Sequence, residues 1–544
     1  MTGDGAPIAA FLLATTLAAP AALLLACLSR NLRARALSLQ WLAPVPGLAA
    51  AVLVLVDGPA ELDIPALRLT LRLDSSGALM LAAAALLWIV VSAGVFKSKA
   101  QSDERFAVSW LLTMTGSLGV FIAADLLSFY LVYALVSIPA YGMIVTEARA
   151  STIRAGAVYM AFAIFGEALL LLAFAILAAG EPSGGVRIED VLAALPASPW
   201  RDAAIAFIVA GFGMKMGLVP LNGWMPLSYA AGPISAAAVL GGAGVKAGVI
   251  GLIRFLPFDA GLPAWGAALM TAGFVSAFYG VAVGLTQRNP RVILAYSSIS
   301  QMGVIVAALG AALAVGDAGG PVQVAFYAAN HVLVKGALFL TIGAFAVRKD
   351  RSIGTILLAA ALGLSLAGLP FTGGALAKDL AKGLIGYGFA GTLASLSSAA
   401  SALLMLHFVT LLSHESASEP VTPKAWLNTR LWPAIALGAI FLPWLFYPAV
   451  DSVTDALSIA KLWDGLWPVL LGAALAVGLA RLPLRLPRIP EGDTIVLVEA
   501  AFRRGLVLGA PFDRIEYALR QWPAASLALV AIVLVLAALA AYSG

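Results

Sequence analysis

Residues 211–255 read GFGMKMGLVPLNGWMPLSYAAGPISAAAVLGGAGVKAGVIGLIRF, and two features of that stretch decide the fold. It is apolar for long enough to cross a bilayer twice, since a hydrocarbon core of about 30 Å takes about 20 residues of helix. It also holds Lys215 and Lys246 more than one helical turn from any loop, at a depth where an ionised group costs at least about 2.5–3.5 kcal/mol. Between them GLVPLNG, residues 217–223, interrupts the first helix. Pro220 removes an amide donor and the flanking glycines open the backbone. At membrane depth such a break is tolerated only where protein or a watered cavity satisfies the freed groups.

The rest of the chain is of the same kind. Of its 544 residues 62% are apolar and only 11% charged, far below the roughly 25% charged of a soluble domain. A mean hydropathy of +0.98 excludes disorder. Sixteen apolar spans bounded by charge, Pro or Gly emerge, near 7–29, 37–56, 76–96, 106–124, 126–146, 155–179, 203–220, 233–255, 264–286, 292–315, 322–347, 353–386, 389–413, 431–449, 464–482 and 522–542. The first follows MTGDGAP, which lacks the basic start of a secretory signal, and is read as a mature span. The expected fold class is therefore an all-α polytopic membrane protein. Cys27 is the only cysteine, which excludes an intramolecular disulfide, a Cys-based zinc site and an iron–sulfur cluster ligated within the chain. No GxGxxG or GxxxxGK[ST] opens a polar strand–helix unit. Neither cofactor nor metal is expected, nor bond chemistry in this chain.

The net charge of +5 is spread over loops and forms no patch for nucleic acid. Threading the spans in order places 22 of the 33 Lys and Arg on one side, including Arg30, Arg33, Arg35, Arg288, Arg291 and the stretch from Arg481 to Arg520. Six, Arg68, Arg72, Arg187, Arg201, Arg254 and Lys461, fall on the other, and five within spans. The positive-inside rule makes the first side cytoplasmic and puts both termini opposite, in a bacterial-type inner membrane. Outside the spans, LRLTLRLD at 67–74 alternates with the period of a short strand or hairpin. Residues 490–521 carry apolar positions three and four apart between charges, the pattern of amphipathic helices lying on the membrane or on a partner subunit.

Further ionisable residues stand within spans: Glu167, His331, Lys335, Lys378 and Lys382. His331 and Lys335 are four apart and share a helix face, which favours a polar file over an isolated packing histidine. Lys382 lies near a span end, where snorkelling of its ammonium to the headgroups is an equal reading. Glu167 is read either as part of the file or as a protonated carboxyl bonded to a neighbouring helix. A second break, GLPFTGG at 368–374 with Pro370 inside it, falls five spans after the first. Each break alone is also compatible with a kink or a loop, but paired interrupted helices point to inverted repeats. An odd-numbered unit inserts upside down relative to its copy, so residues 105–255 (spans 4–8) and 264–413 (spans 9–13) are the expected repeats. Residues 1–104 and 414–544 flank them.

At this point the residues resemble a family. The 211–255 stretch, QRNPRVILAYSSISQMG at 287–303, NHVLVKGALFL at 330–340 and SLAGLPFTGGALAKDL at 365–380 look like the antiporter-like subunits of respiratory complex I, of Mrp-type multisubunit cation/proton antiporters and of membrane-bound hydrogenases. The likeness covers roughly residues 105–410. It implies fourteen or more helices, a half-channel in each repeat, and a mid-membrane file of Lys, His and Glu carrying protons or sodium, coupled to partner subunits. By position Lys215 matches the proton-exchanging lysine of the broken seventh helix and Lys246 the bridging lysine of the eighth. His331 and Lys335 match the stripe of the eleventh, Lys378 the terminal lysine of the twelfth, with Asp379 and Lys382 as supporting groups. The chain departs from the pattern where a Trp–Glu pair is replaced by Tyr133 and Ala134, and where a histidine is replaced by Asn222. Glu167 is the expected substitute for the missing acid. The alternatives are a non-conducting homologue that scaffolds partner subunits and a self-contained solute carrier.

Overall fold

The computed structural model describes residues 5–64, 69–95, 104–146, 149–347, 352–414, 431–482, 487 and 489–496. Everything below lies in the compact unit Met1–Glu491. The predicted helices 490–521 and 522–542 lie almost wholly outside the described residues.

The chain begins with α1 (Gly5–Leu28), a short α2 (Arg33–Leu39), one 3-10 turn and α3 (Val45–Asp57). Pro44 and Pro46 divide what hydropathy runs together as 37–56, because proline cannot continue the preceding helix. The alternating segment then forms an antiparallel hairpin, β1 (Ala60–Ile64) against β2 (Leu69–Leu73), with Leu62 opposite Leu71. Arg187 pairs with Glu61 at 2.5 Å and with Glu189 at 3.1 Å. From the other side Arg254 donates to the carbonyls of Phe121 and Ala123.

Helices α4 (Ser75–Val95) and α5 (Glu104–Gly119) lead to α6 (Leu126–Ser137), whose start is fixed by Asp125. Its carboxylate accepts from Ser128 N at 2.7 Å and from Thr70 N at 2.9 Å, so the helix cap also ties down the hairpin. Pro139 ends α6 and opens α7 (Ala140–Ile144), again dividing a predicted span. Then come α8 (Ala150–Ala179), α9 (Ile188–Ala194), α10 (Arg201–Met216), α11 (Trp224–Ala231), α12 (Ile234–Val239) and α13 (Lys246–Phe255), the last two joined by a π turn over Leu240–Gly244. The remainder runs through α14 (Pro263–Gly284), α15 (Pro290–Val315), α16 (Gly320–Val347), α17 (Ile353–Ser365), α18 (Gly373–Ile385), α19 (Phe389–His414), α20 (Trp432–Phe441), α21 (Pro443–Phe446), α22 (Val453–Ala456) and α23 (Ile459–Arg481).

Twelve of these spans, taken between short breaks, are long and apolar enough to cross a membrane among the described residues. Three more predicted spans are realised as shorter helices: α5, α10, and the pair α17 and α18 separated by the second break. The stretches Ile234–Phe255 and Gly320–Ala346 are enclosed by protein along their whole length, whereas Pro7–Leu28 and Ile459–Arg481 lie mostly at the periphery. The enclosed helices are the ones that carry Lys246, His331 and Lys335.

Packing of α14 on α15 shows how apolar helices associate where lipid offers no competing driving force, through small residues that let backbones approach. Gly266, Gly273 and Gly280 repeat every seven residues on α14. A Cβ at Gly273 would stand 2.5 Å from Gly303 O, and one at Gly303 2.4 Å from Gly273 O. Gly273→Val should therefore lower the thermal stability of the detergent-solubilised protein by about 1–3 kcal/mol of overpacking, read as a fall in Tm. An unchanged Tm would show that this seam gives way freely.

Candidate functional site

The first break is built by α10 and α11. Gly217 ends α10 with φ of 68°, a left-handed conformation that glycine adopts without strain. The groups freed by the break find partners: Trp224 Nε1 donates to Met214 O at 2.8 Å and Val219 N to Ser276 Oγ at 3.1 Å. Lys215 sits in the last turn of α10, where the helix dipole favours a cation. Its ammonium is buried and donates to Ser137 Oγ at 2.8 Å and to Tyr159 Oη at 3.4 Å. The rings of Tyr133 and Tyr159 face it at 5.8 Å and 5.7 Å. Glu167 is buried on α8, the helix that carries Tyr159, close enough for its charge to act on Lys215. Ser137, at the end of α6, accepts from the lysine and donates to Tyr133 O at 3.1 Å. Glu167 Oε1 has no hydrogen-bond partner among the described residues.

Lys246 is the first residue of α13, separated from the π turn by Val245 alone. Its Nζ lies 2.7 Å from His331 Nδ1 of α16, with both residues fully buried. Either the lysine nitrogen donates to a bare Nδ1 or a protonated Nδ1 donates to a neutral amine, so the two groups share a single hydrogen bond. Lys335, one turn beyond His331, donates to Leu294 O at 2.6 Å and to Ser297 Oγ, both on α15. Among the described residues no acidic side chain hydrogen-bonds to Lys246 or Lys335. The sequence-predicted stripe also extends one turn upstream to Tyr327, at the same four-residue spacing.

The second break runs from α17 to α18, with Gly368 at φ of 96° and Phe371 at 65°. Trp444 Nε1 donates to Phe371 O at 3.2 Å, so an indole again satisfies a carbonyl at the interruption. Lys378 follows this break, whereas Lys215 precedes the first. Its Nζ is buried 5.5 Å from the centre of the Tyr327 ring, without a hydrogen-bond partner among the described residues. Tyr327 Oη donates to Gln301 Oε1 at 2.7 Å, and Gln301 Nε2 donates to Ser401 Oγ at 3.0 Å. Pro220 lies between α10 and α11, and Pro370 between α17 and α18. Asp379 pairs with Lys461 at 2.8 Å, and Lys382 Nζ donates to Asp464 O at 3.0 Å.

Sequence reasoning alone misses Ser137, Tyr133 and Tyr159 around Lys215, and Tyr327, Gln301 and Ser297 around the later lysines. A signal for some of them is present. Tyr159 lies eight residues before Glu167 on one helix, and Ser297 and Gln301 are four apart, so each continues a polar stripe.

With the geometry in hand, comparison with known proteins places the chain in a family. Residues 123–406, more than half of the chain, match the NADH:quinone oxidoreductase/Mrp antiporter transmembrane family, and the chain belongs to it. It is 29% identical over 297 residues to hydrogenase-4 component B of Escherichia coli, covering 52% of this chain and 44% of that protein. It is 32% identical over 254 residues to NADH-quinone oxidoreductase subunit N of Desulforudis audaxviator, covering 45% of this chain and 48% of that protein. A Na(+)/H(+) antiporter subunit of Alkalihalophilus pseudofirmus is 27% identical over 281 residues, 50% of this chain and 55% of that protein. The chain therefore spans about half the length of the curated relatives it matches. Among solved structures, the Mrp complex of Dietzia sp. DQ12-45-1b superposes with a TM-score of 0.72 at 20% identity, over 98% of this chain and 63% of the other. An archaeal membrane-bound sulfane sulfur reductase gives 0.68 at 21%, over 98% and 100%. At these identities the likeness establishes the fold.

Proposed function

We propose that the chain is a proton-translocating subunit of a larger membrane complex of the quinone oxidoreductase, hydrogenase or Mrp antiporter kind. Protons pass along a file formed by Glu167, Lys215, Lys246, His331, Lys335 and Lys378. The observation that carries this reading is the fully buried Lys246–His331 hydrogen bond, followed one turn on by Lys335. Three basic groups enclosed by protein are costly as cations, and their separation suits exchange of protons between neighbours. Sodium fits less well, because the hydrogen-bond partners of Lys246 and Lys335 include no carboxylate among the described residues and hard cations favour oxygen ligands.

In this reading spans 4–8 and 9–13, residues 105–255 and 264–413, are inverted repeats within sixteen spans, each with one half-channel at its broken helix. The side rich in Lys and Arg is cytoplasmic, both termini lie opposite, and the membrane is a bacterial-type inner membrane. Partner subunits supply the redox chemistry or the counter-transport. A non-conducting scaffold is the second reading, and Ala134, where an acid is missing, favours it.

Flux separates these readings. The complex, purified with its partners and reconstituted into proteoliposomes, is expected to acidify or alkalinise the lumen when driven, at a rate indifferent to sodium. Sodium-dependent flux without a pH change would reassign the ion, and an absence of flux under pH and sodium gradients would select the scaffold.

A further inference from the structure

Several charged groups of the later half of the chain meet at one surface cavity. A cavity of about 1050 Å³ opens among α15, α16, α18, α19 and α23, and Asp317, Asp379, Asp455, Asp464, Lys382 and Lys461 stand on its wall. Helix α15 enters from Arg291 and ends here, while α23 starts here and ends at Arg481. The cavity is thus at the end of these helices remote from the basic loops.

Lys461, in the first turn of α23, lies 2.8 Å from Asp379 Oδ2 and 2.5 Å from Asp455 Oδ2. Asp379 and Lys461 also line a second, small cavity of about 20 Å³ beneath the helix break, together with Pro370, Phe371, Ala375 and Trp444. That volume holds about one water molecule. Asp379 and Lys461 are the residues common to both walls, so the ion pair stands between the wide vestibule and the small space. Lys378, adjacent to Asp379 in sequence, points away from it toward Tyr327. Asp455 is 58% exposed and Asp379 25%, so the second partner of Lys461 is the outer one.

We propose that Lys461 is the gate of the pathway at this mouth. Closed, its ammonium occupies Asp379. Open, it moves to Asp455, and Asp379 is freed to exchange a proton between the inner space and the vestibule. Partly exposed ion pairs exchange partners at little cost, which suits a gate better than a fixed clasp. The proposal rests on the conducting reading given above. Its bland alternative is that Lys461 only fastens α22 and α23 to α18.

The test uses the complete complex in proteoliposomes, with Cys27→Ala to remove the single native cysteine and Ala375→Cys as a reporter in the inner space. Two membrane-impermeant methanethiosulfonates are applied from the vestibule side, one cationic and one anionic. Lys461→Met, which keeps the stem and removes the charge, is expected to raise the labelling rate by both reagents about tenfold, and to raise passive proton leak. Asp455→Asn leaves Lys461 to Asp379 alone and should lower labelling and leak together. Lys461→Arg should restore the starting values. Opposite effects on the two reagents would reveal a change of local potential only and overturn the gate. Unchanged labelling with a lowered Tm would make the contact a fastening and overturn it too. Flux through the unmodified complex distinguishes the two levels: its absence overturns the conducting reading, whereas flux with labelling indifferent to Lys461 overturns the gate alone.

Discussion

Lys215→Ala and Lys378→Ala will each abolish coupled ion transport while leaving the subunit inserted and assembled. Loss of a group that carries the proton itself is expected to slow turnover by about 10²-fold or more, the scale of acid–base groups in catalysis. Assembly should survive, because neither ammonium holds the fold together. Without Lys215, Tyr159 Oη still donates to Ser137 O at 2.8 Å and Ser137 Oγ still donates to Tyr133 O at 3.1 Å. Without Lys378, the loss is one cation–π contact with Tyr327, worth about 0.5–2 kcal/mol. The two lysines sit on opposite sides of their breaks, the first in the last turn of α10 and the second inside α18. Their loss should accordingly interrupt different ends of one path. Transport at the unmodified rate in either variant, measured in proteoliposomes beside a check of subunit content, removes that lysine from the pathway.

Much of this arrangement is legible along the chain because its signals are local. Glycine and proline around Pro220 and Pro370 mark both breaks, since no other residues open a helix so reliably. The spacing of His331 and Lys335 fixes them to one face without reference to any neighbour. What is not legible depends on how distant helices pack. Lys246 and His331 lie 85 positions apart, and no periodicity within α13 or α16 announces that their tips meet. Ser137 looks in sequence like any small polar residue at a helix end, and only the packing of α6 against α8 and α10 makes it the acceptor for Lys215. Lys382 and Lys461 read as charges near span ends, a place where lysine commonly snorkels. Their carbonyl and carboxylate partners come from other elements. The spans 37–56, 126–146 and 353–386 read as continuous in hydropathy because proline interrupts a helix without making the segment polar.

Glu167→Gln will lower transport sharply, and Ala134→Glu added to it will recover part of the loss. An ammonium in an apolar surrounding is driven toward its neutral form, and a nearby carboxylate favours the charged one. Glu167 is placed for that role on α8 beside Tyr159, which accepts from Lys215 Nζ at 3.4 Å, and its charge reaches the lysine. Gln keeps the shape but not the charge, so a decrease would report electrostatics, where Glu167→Ala would mix in a cavity. A decrease of at least about tenfold corresponds to about 1.4 kcal/mol of lost charge stabilisation at Lys215. Rescue is expected because Ala134 lies three residues before Ser137 on α6 and so shares its face. A carboxylate there would approach Ser137 and Lys215 from α6 in place of α8. Full transport in Glu167→Gln would leave Lys215 without an acid regulator and remove Glu167 from the pathway. A loss that Ala134→Glu does not relieve would place the action of Glu167 on Tyr130, Tyr133 or Tyr159, the other groups its charge reaches.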